Sequence, residues 1–357
     1  MKKRKRLYIL SGLVMFLCMG TIYSWSVFRG PLIKELELIS GEHIGATLAQ
    51  MPYTLFLLMY SFTMPFSGKL IKKIDPRILC ISGSLLVALG WILAGSSTSI
   101  YQIMWTYGVL GGLGVGIVYG VPIAIVTEWF PHRKGLAVGI TLMGFGISPL
   151  ISAPIANALI NKSGVFQAFK DMGFAFALVL GLLSLLFQFP KEKIELHKIS
   201  KNEVEFTTKE MLKTKSFYAL WACFVIGTFV GLTMVGIASI YAQETVGLKR
   251  ETATILLSVF AIFNGIGRPI FGSLVDKIGT KKTIYLSYTL IAISSLLQII
   301  KSENTVIFIV SFILFFLNLG GWLSIVPAAN INLFGREYST QNYGFLFTAY
   351  GISDTII

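Results

Sequence analysis

Read as a string of apolar and polar positions, the chain alternates long apolar runs with short polar breaks along its whole length. Eleven runs stand out, at roughly 7–28, 44–66, 78–96, 102–127, 135–160, 172–189, 217–241, 252–274, 283–300, 305–330 and 341–357. Each is close to the roughly 20 residues that an α-helix needs to cross a hydrocarbon core of about 30 Å. Backbone groups in that core must be bonded within their own segment. The pattern therefore predicts an all-α polytopic membrane protein with eleven spans. One break is long: 190–216 carries seven lysines and five glutamates. It follows six spans, and a second set then begins.

Several features recur 204 or 205 residues apart. Gly68-Lys69-Leu70-Ile71-Lys72-Lys73-Ile74 matches Gly272-Ser273-Leu274-Val275-Asp276-Lys277-Ile278. Pro122 matches Pro327, Phe130 matches Phe334, and Gly146-Ile147-Ser148 matches Gly351-Ile352-Ser353. A shared offset predicts an internal duplication. The expected organisation is a six-helix bundle over 1–189, a cytoplasmic connection over 190–216 and a five-helix bundle over 217–357. The last helix of the second repeat is missing, which is expected of a truncated sequence. Parallel six-helix repeats with a site between them are a transporter architecture.

Composition agrees with the pattern and excludes other classes. Hydrophobic residues make up 54% and charged residues 13% of the 357, about half the charged share of a soluble domain. The net charge of +13 would suggest nucleic acid, but its placement says otherwise. With the N-terminus on one side of the membrane, 22 of the 30 lysines and arginines fall on that side and 7 on the other. This is the positive-inside asymmetry; it predicts a multi-pass plasma-membrane protein with a cytoplasmic N-terminus and no nucleic-acid partner. The first run holds Tyr23 and Trp25 with no small-residue cleavage site after it, so it is expected to be a permanent span.

Chemistry outside transport finds little support. Cys18, Cys80 and Cys223 lie in apolar runs, and His43, His132 and His197 are far apart, so neither a disulfide framework nor a metal site is expected. The glycines of 111–116 fail the dinucleotide pattern, with Ile117 and Tyr119 where a third glycine is needed. Inside an apolar run they are expected to let helices touch. No nucleotide loop, paired acids or Ser/His set is present at membrane depth, so neither an enzyme, a cofactor nor ATP drive is expected.

Two formal charges lie inside spans, Arg268 and Asp354. A midplane charge costs roughly 2.5–3.5 kcal/mol on insertion scales, which makes each a functional candidate. Arg268 keeps its proton and offers a planar fork that fits a carboxylate. The alternative is an ion pair with Asp276, two turns away. Arg268 is 8 residues before Asp276 and Tyr350 is 9 past Gln341, so both sit roughly 12–14 Å from the same face. Asp354 is one turn beyond Tyr350 and is the candidate proton carrier. These groups are expected to meet near mid-depth, between helices of the second half. Tyr23, Trp25, Gln50, Tyr53, Tyr119, Asn264 and Trp322 are candidates to complete the cavity. Asp276 is a candidate gate residue expected to pair with basic groups across the cytoplasmic face, and Glu128, Arg133 and Lys134 at helix ends of that face are expected to form ion pairs that break when the halves rock.

Residues 272–282, Gly-Ser-Leu-Val-Asp-Lys-Ile-Gly-Thr-Lys-Lys, resemble the loop signature of the major facilitator superfamily. The first-half copy departs from it, with Lys72 in place of the aspartate. Tyr23-Ser24-Trp25-Ser26-Val27-Phe28, Trp129-Phe130-Pro131-His132-Arg133-Lys134-Gly135-Leu136-Ala137 and Asn264-Gly265-Ile266-Gly267-Arg268-Pro269 narrow the resemblance to the oxalate/formate antiporter branch, close to the monocarboxylate carriers. The resemblance implies a major facilitator fold and a substrate carboxylate on Arg268. In that branch, the oxalate carriers have a lysine in the Thr-Ala-x-Gly stretch of span eleven. Here Thr348-Ala349-Tyr350-Gly351 holds Tyr350. One arginine and one tyrosine suit a monoanion such as formate, lactate or pyruvate better than the oxalate dianion.

The expected function is therefore a monomeric secondary transporter of small carboxylates, working by exchange or proton symport. The rival readings are a carrier for an uncharged solute or drug, which would tolerate loss of Arg268, and a non-transporting sensor on the same fold.

Overall fold

The structure is a computed structural model and describes residues 2–71, 73–190 and 205–355. Every regular element among them is helical. The first span is α1 (Lys2–Met19), a tight 3-10 turn (Gly20–Ser24) and α2 (Trp25–Ser40). Then come α3 (Ala46–Leu70), α4 (Pro76–Ala94), a composite helix, α7 (Lys134–Ser163) and α8 (Val165–Ser184). The composite begins as α5 (Ile100–Ile103), widens to a π-helix over Met104–Gly111 and continues as α6 (Gly112–Trp129). After the connection come the single turn α9 (Thr208–Met211), α10 (Lys215–Glu244), α11 (Arg250–Ile278), α12 (Thr280–Ile300), α13 (Thr305–Phe334) and α14 (Ser339–Thr355).

Nine helices among the described residues are long and apolar enough to cross a membrane. Two of the eleven expected spans fall outside that set: α3, which carries Gln50, Pro52, Tyr53 and Pro65 among its apolar residues, and α14, which has 17 residues. Both lie at the junction of the two halves, where polar positions are sheltered from lipid.

Small residues bring helices into contact, as the glycine pattern predicted. A Cβ on Gly112 or Gly116 would run into the backbone of α3 at Phe56 or Tyr60, and one on Gly114 into α4 at Gly83 and Val87. These glycines thread the composite helix between its two neighbours.

Two seams join the helices before the connection to those after it. In one, α7 lies along α11: Gly135 meets Gly272, Gly139 meets Arg268 and Pro269, and Gly146 meets Gly265. In the other, α3 lies along α14: Gly68 meets Gln341, Gly344 meets Met64 and Pro65, and Gly351 meets Ser61. The seams are related as the duplication requires, because matched Gly68 and Gly272 each receive the start of a helix from the opposite half. Both run from the basic face, where α3 and α11 end and α7 and α14 begin, to mid-depth. α2 and α10 form no comparable seam among the described residues. The molecule is thus closed at its basic face.

Most of the expected connection, residues 191–204, lies outside the described residues. Its returning end is anchored on the basic face. Glu205 accepts the Arg336 and Glu337 amides at 3.0 and 2.9 Å, and Asn342 accepts the Thr208 hydroxyl at 2.7 Å.

Candidate functional site

The 3-10 turn brings Tyr23 to mid-depth. Gly20 allows it: a Cβ there would collide with Phe145 and Ser148 of α7, so only glycine lets the first span approach this closely. A break of this kind inside a spanning helix often marks a working position. Opposite it, α14 presents Tyr350, and the Tyr23 and Tyr350 hydroxyls are hydrogen-bonded across the two halves.

Arg268 sits on α11 at the seam with α7 and is completely buried. Its Nη1 donates to the Leu142 carbonyl at 2.7 Å. Its Nη2 reaches Asn264 Oδ1, one turn back, only at 3.5 Å. Nε is buried without an acceptor. Nε and Nη2 together form the side-on edge of the guanidinium, the edge that takes a carboxylate bidentately. The Phe145 ring covers the cation at 5.6 Å from its centroid. Among the described residues no acid forms an ion pair with Arg268, and Glu37 and His43 pair at the opposite face. A buried cation whose carboxylate edge is unmatched is costly to keep unless something brings an anion to it.

Aromatic rings wall this space. Phe145 meets Tyr23 edge-on at 5.2 Å and Tyr119 at 5.8 Å, while Tyr60 lies against Tyr119 and Phe347 at 5.0 and 4.9 Å. Tyr23, Tyr119 and Tyr343 stand within electrostatic reach of Arg268. Asp354 lies one turn beyond Tyr350, half-buried, with Oδ2 buried and unpartnered. It stands within reach of Tyr23, Tyr53 and Tyr350.

Residues 7–356 match the family description Major Facilitator Superfamily. The chain belongs to that superfamily. It is 31% identical over 344 residues to the oxalate:formate antiporter of Oxalobacter formigenes, a match covering 96% of this chain and 80% of that one. It is 28% identical over 252 residues to human monocarboxylate transporter 12, covering 63% of this chain and 49% of the relative. A solved structure of the proton:xylose symporter XylE, bound to 6-bromo-6-deoxy-D-glucose, superposes with a TM-score of 0.75 at 13% identity, covering 98% of this chain and 87% of that one; it bears on the fold alone. The protein is therefore a multi-pass membrane transporter of the major facilitator type and not an enzyme.

Against that fold, the predicted site residues separate. Arg268, Asn264, Tyr23, Tyr350, Tyr53, Tyr119 and Asp354 gather at mid-depth. They do so between the two halves, not within the second half as expected, because α14 packs along α3 and α11 along α7. Trp25 is buried against Tyr107, stacked at 5.0 Å, inside the first half. Gln50 accepts from Arg29 at 3.1 Å near the opposite face. Trp322 lies in the interior of the second half, against Gly227 and Tyr288.

The gate also differs in detail. Among the described residues Asp276 forms no ion pair with Arg268. Its carboxylate accepts the Gly135 and Leu136 amides at 3.0 and 2.9 Å, capping α7 from the other side of the seam. Glu128 and Arg133 form no ion pair among the described residues, and Arg133 is exposed. Exposed cations gain little from pairing, whereas an unsatisfied helix N-terminus attracts a carboxylate. The sequence reading missed the Leu142 carbonyl, Phe145, Tyr60 and Tyr343. A backbone acceptor has no sequence signal, and an aromatic residue in an apolar run reads as lipid-facing or core.

Proposed function

We propose that this transporter moves small monocarboxylates across the plasma membrane by alternating access, with Arg268 as the carboxylate ligand. One observation carries the reading: a fully buried arginine between the two halves, with Nε unpartnered and no acid paired to it among the described residues. The faces and edges of the aromatic walls suit a short apolar tail such as that of lactate or pyruvate. Two relatives, an oxalate:formate antiporter and a monocarboxylate transporter, support the same reading. Tyr23, Asn264, Tyr119 and Tyr350 complete the site in this reading. Exchange and proton symport are both compatible with it.

The charge asymmetry supports a cytoplasmic basic face. The closed face is then the cytoplasmic one, and the site is reached from outside, past Tyr53 and Asp354, which keep partial exposure. The test is counterflow of labelled formate, lactate, pyruvate and oxalate into proteoliposomes. Wild-type protein should exchange at least one monocarboxylate, and Arg268→Ala should abolish it. Wild-type rates in Arg268→Ala would return the site to an uncharged solute; counterflow of none of the four would favour a sensor.

A further inference from the structure

The seams close the basic face, and a small cavity lies within the closure. It has a volume of about 10 Å3 and sits between α6 of the first half and α13 and α14 of the second, with Gly120, Thr127, Asn330, Thr340 and Tyr343 among its walls. We propose that this cavity is a binding site for one ordered water, which bridges Thr127, Asn330 and Tyr343 and so clasps the two halves shut. The inference goes beyond the substrate reading and does not depend on which solute is carried.

A buried water needs roughly 10–15 Å3 of free volume and two to four polar partners. The cavity meets the first requirement and is too small for a carboxylate substrate. Its depth follows from the helices. Thr127 lies 8 residues past Tyr119 on α6, and Tyr343 lies 7 before Tyr350 on α14. Each is therefore roughly 10–12 Å nearer the basic face than the aromatic site. Gly120 keeps the two halves close here, since a Cβ on it would stand 3.2 Å from Thr340 Cγ2.

The polar groups meet the second requirement. Asn330 and Tyr343 are 1% and 2% exposed. Asn330 Oδ1 and the Tyr343 hydroxyl are buried with no hydrogen-bond partner among the described residues. Leaving such groups unpaired is costly. The amide orientation is set, because Asn330 Nδ2 donates to the Ser339 carbonyl at 2.7 Å and turning it over would face two oxygens together. Oδ1 therefore needs a donor. Thr127 is also buried, and its hydroxyl donates to the Ile123 carbonyl at 2.7 Å, which leaves its oxygen able to accept. One water answers all three. Its two protons go to Asn330 Oδ1 and Thr127 Oγ1, and its oxygen accepts the Tyr343 O–H. An anion cannot take this place, because two of the three groups offer only lone pairs. A cation has no countercharge, since no acidic side chain lines the cavity. Thr127 belongs to the first half and the other two groups to the second. The clasp is lost when α6 parts from α13 and α14, so it biases the carrier towards closure at this face.

Two measurements test this. A crystal structure of the wild-type carrier closed at this face, detailed enough to show waters, should place one within hydrogen-bond distance of Thr127 Oγ1, Asn330 Oδ1 and the Tyr343 hydroxyl. A cavity without that water overturns the proposal, whatever the variants do. The second measurement reads the open fraction without substrate, from the distance between spin labels at Lys73 and Lys282. These lysines are exposed on the basic face, one in each half, and the protein used lacks Cys18, Cys80 and Cys223. Thr127→Val and Tyr343→Phe keep the side-chain shape and each removes one bond to the water. Each should raise the open fraction about 2- to 10-fold. Combined, they should fall well short of the product of the two increases, because both act through one water. Asn330 is left intact, since it also holds Ser339. Increases that multiply, or none in either single variant, overturn the clasp.

Discussion

Tyr350 stands where the resemblance to the oxalate carriers places a lysine, and its hydroxyl is spent on Tyr23. In the proposed reading this position sets which substrate charge is preferred. A dianion at Arg268 leaves its second carboxylate facing hydroxyls, whereas a cation there would meet it with a charge-assisted bond. Such bonds contribute about 1.5–3 kcal/mol, a preference of roughly tenfold or more. Tyr350→Lys should therefore shift competition between labelled formate and labelled oxalate towards oxalate by about that factor. The shift should be clearer with Asp354→Asn, since Asp354 one turn away captures part of the new charge. A ratio that stays put in both variants would mean that residue 350 does not face the substrate. Arg268 and Asp354 were legible in the sequence because a charge inside an apolar run has few innocent explanations. Their neighbours were less so. Tyr23 and Tyr350 are 327 positions apart, and nothing local announces their bond. Trp25 and Gln50 have the residue types of a cavity lining but face Tyr107 and Arg29, and one sequence does not say which way a side chain on a sheltered helix turns.

At the scale of elements, the basic face is closed by helix ends. Asp276 caps α7 from the opposite half, and Gly135 and Gly272 let the two backbones touch. Asp276→Asn keeps the shape and removes the charge, weakening the cap by about 0.5–2 kcal/mol. If the closed state relies on it, the open fraction of this face rises roughly 2- to 30-fold. Maleimide labelling of a cysteine at Thr340, which faces Gly120 across the seam, reads this in protein lacking Cys18, Cys80 and Cys223. Unchanged labelling would show that the glycine contact alone keeps the face shut. The connection is anchored by a capping box at Thr207 and Glu210, and bonds from the Thr207 hydroxyl and then its amide hold the Glu210 carboxyl below the usual carboxylate range. A depressed value means that the cap is fully present above about pH 4.3 and fades as pH falls through the lower, folded value. The protection factor of the Thr207 amide, which the Glu210 carboxylate accepts, should therefore fall under acid in the wild type. Glu210→Gln should remove that dependence. The helices themselves were readable as apolar runs of spanning length. The partner of Asp276 was not, because backbone amides at a helix start are the same in every sequence.

The whole molecule is two sets of helices meeting along two glycine-lined seams, with the anion site where the seams end. Paired features 204 or 205 residues apart predict a duplication, and one such pair, Gly68 and Gly272, meets the start of a helix from the opposite set, at Gln341 and Gly135. The location of the site between the halves was not visible, since it depends on which helices of one set lie along which of the other. Closure at one face with the site at mid-depth fits a carrier that rocks about its substrate. In the proposed reading Arg268 does more than balance charge; its planar edge would set how a carboxylate sits. The most direct measurement is equilibrium binding of labelled formate, lactate and pyruvate to the purified protein, comparing wild type with Arg268→Lys. The lysine keeps the charge and loses the bidentate edge, so affinity for the bound monocarboxylate should fall about tenfold or more. Wild-type affinity in Arg268→Lys would contradict the carboxylate site drawn on that edge.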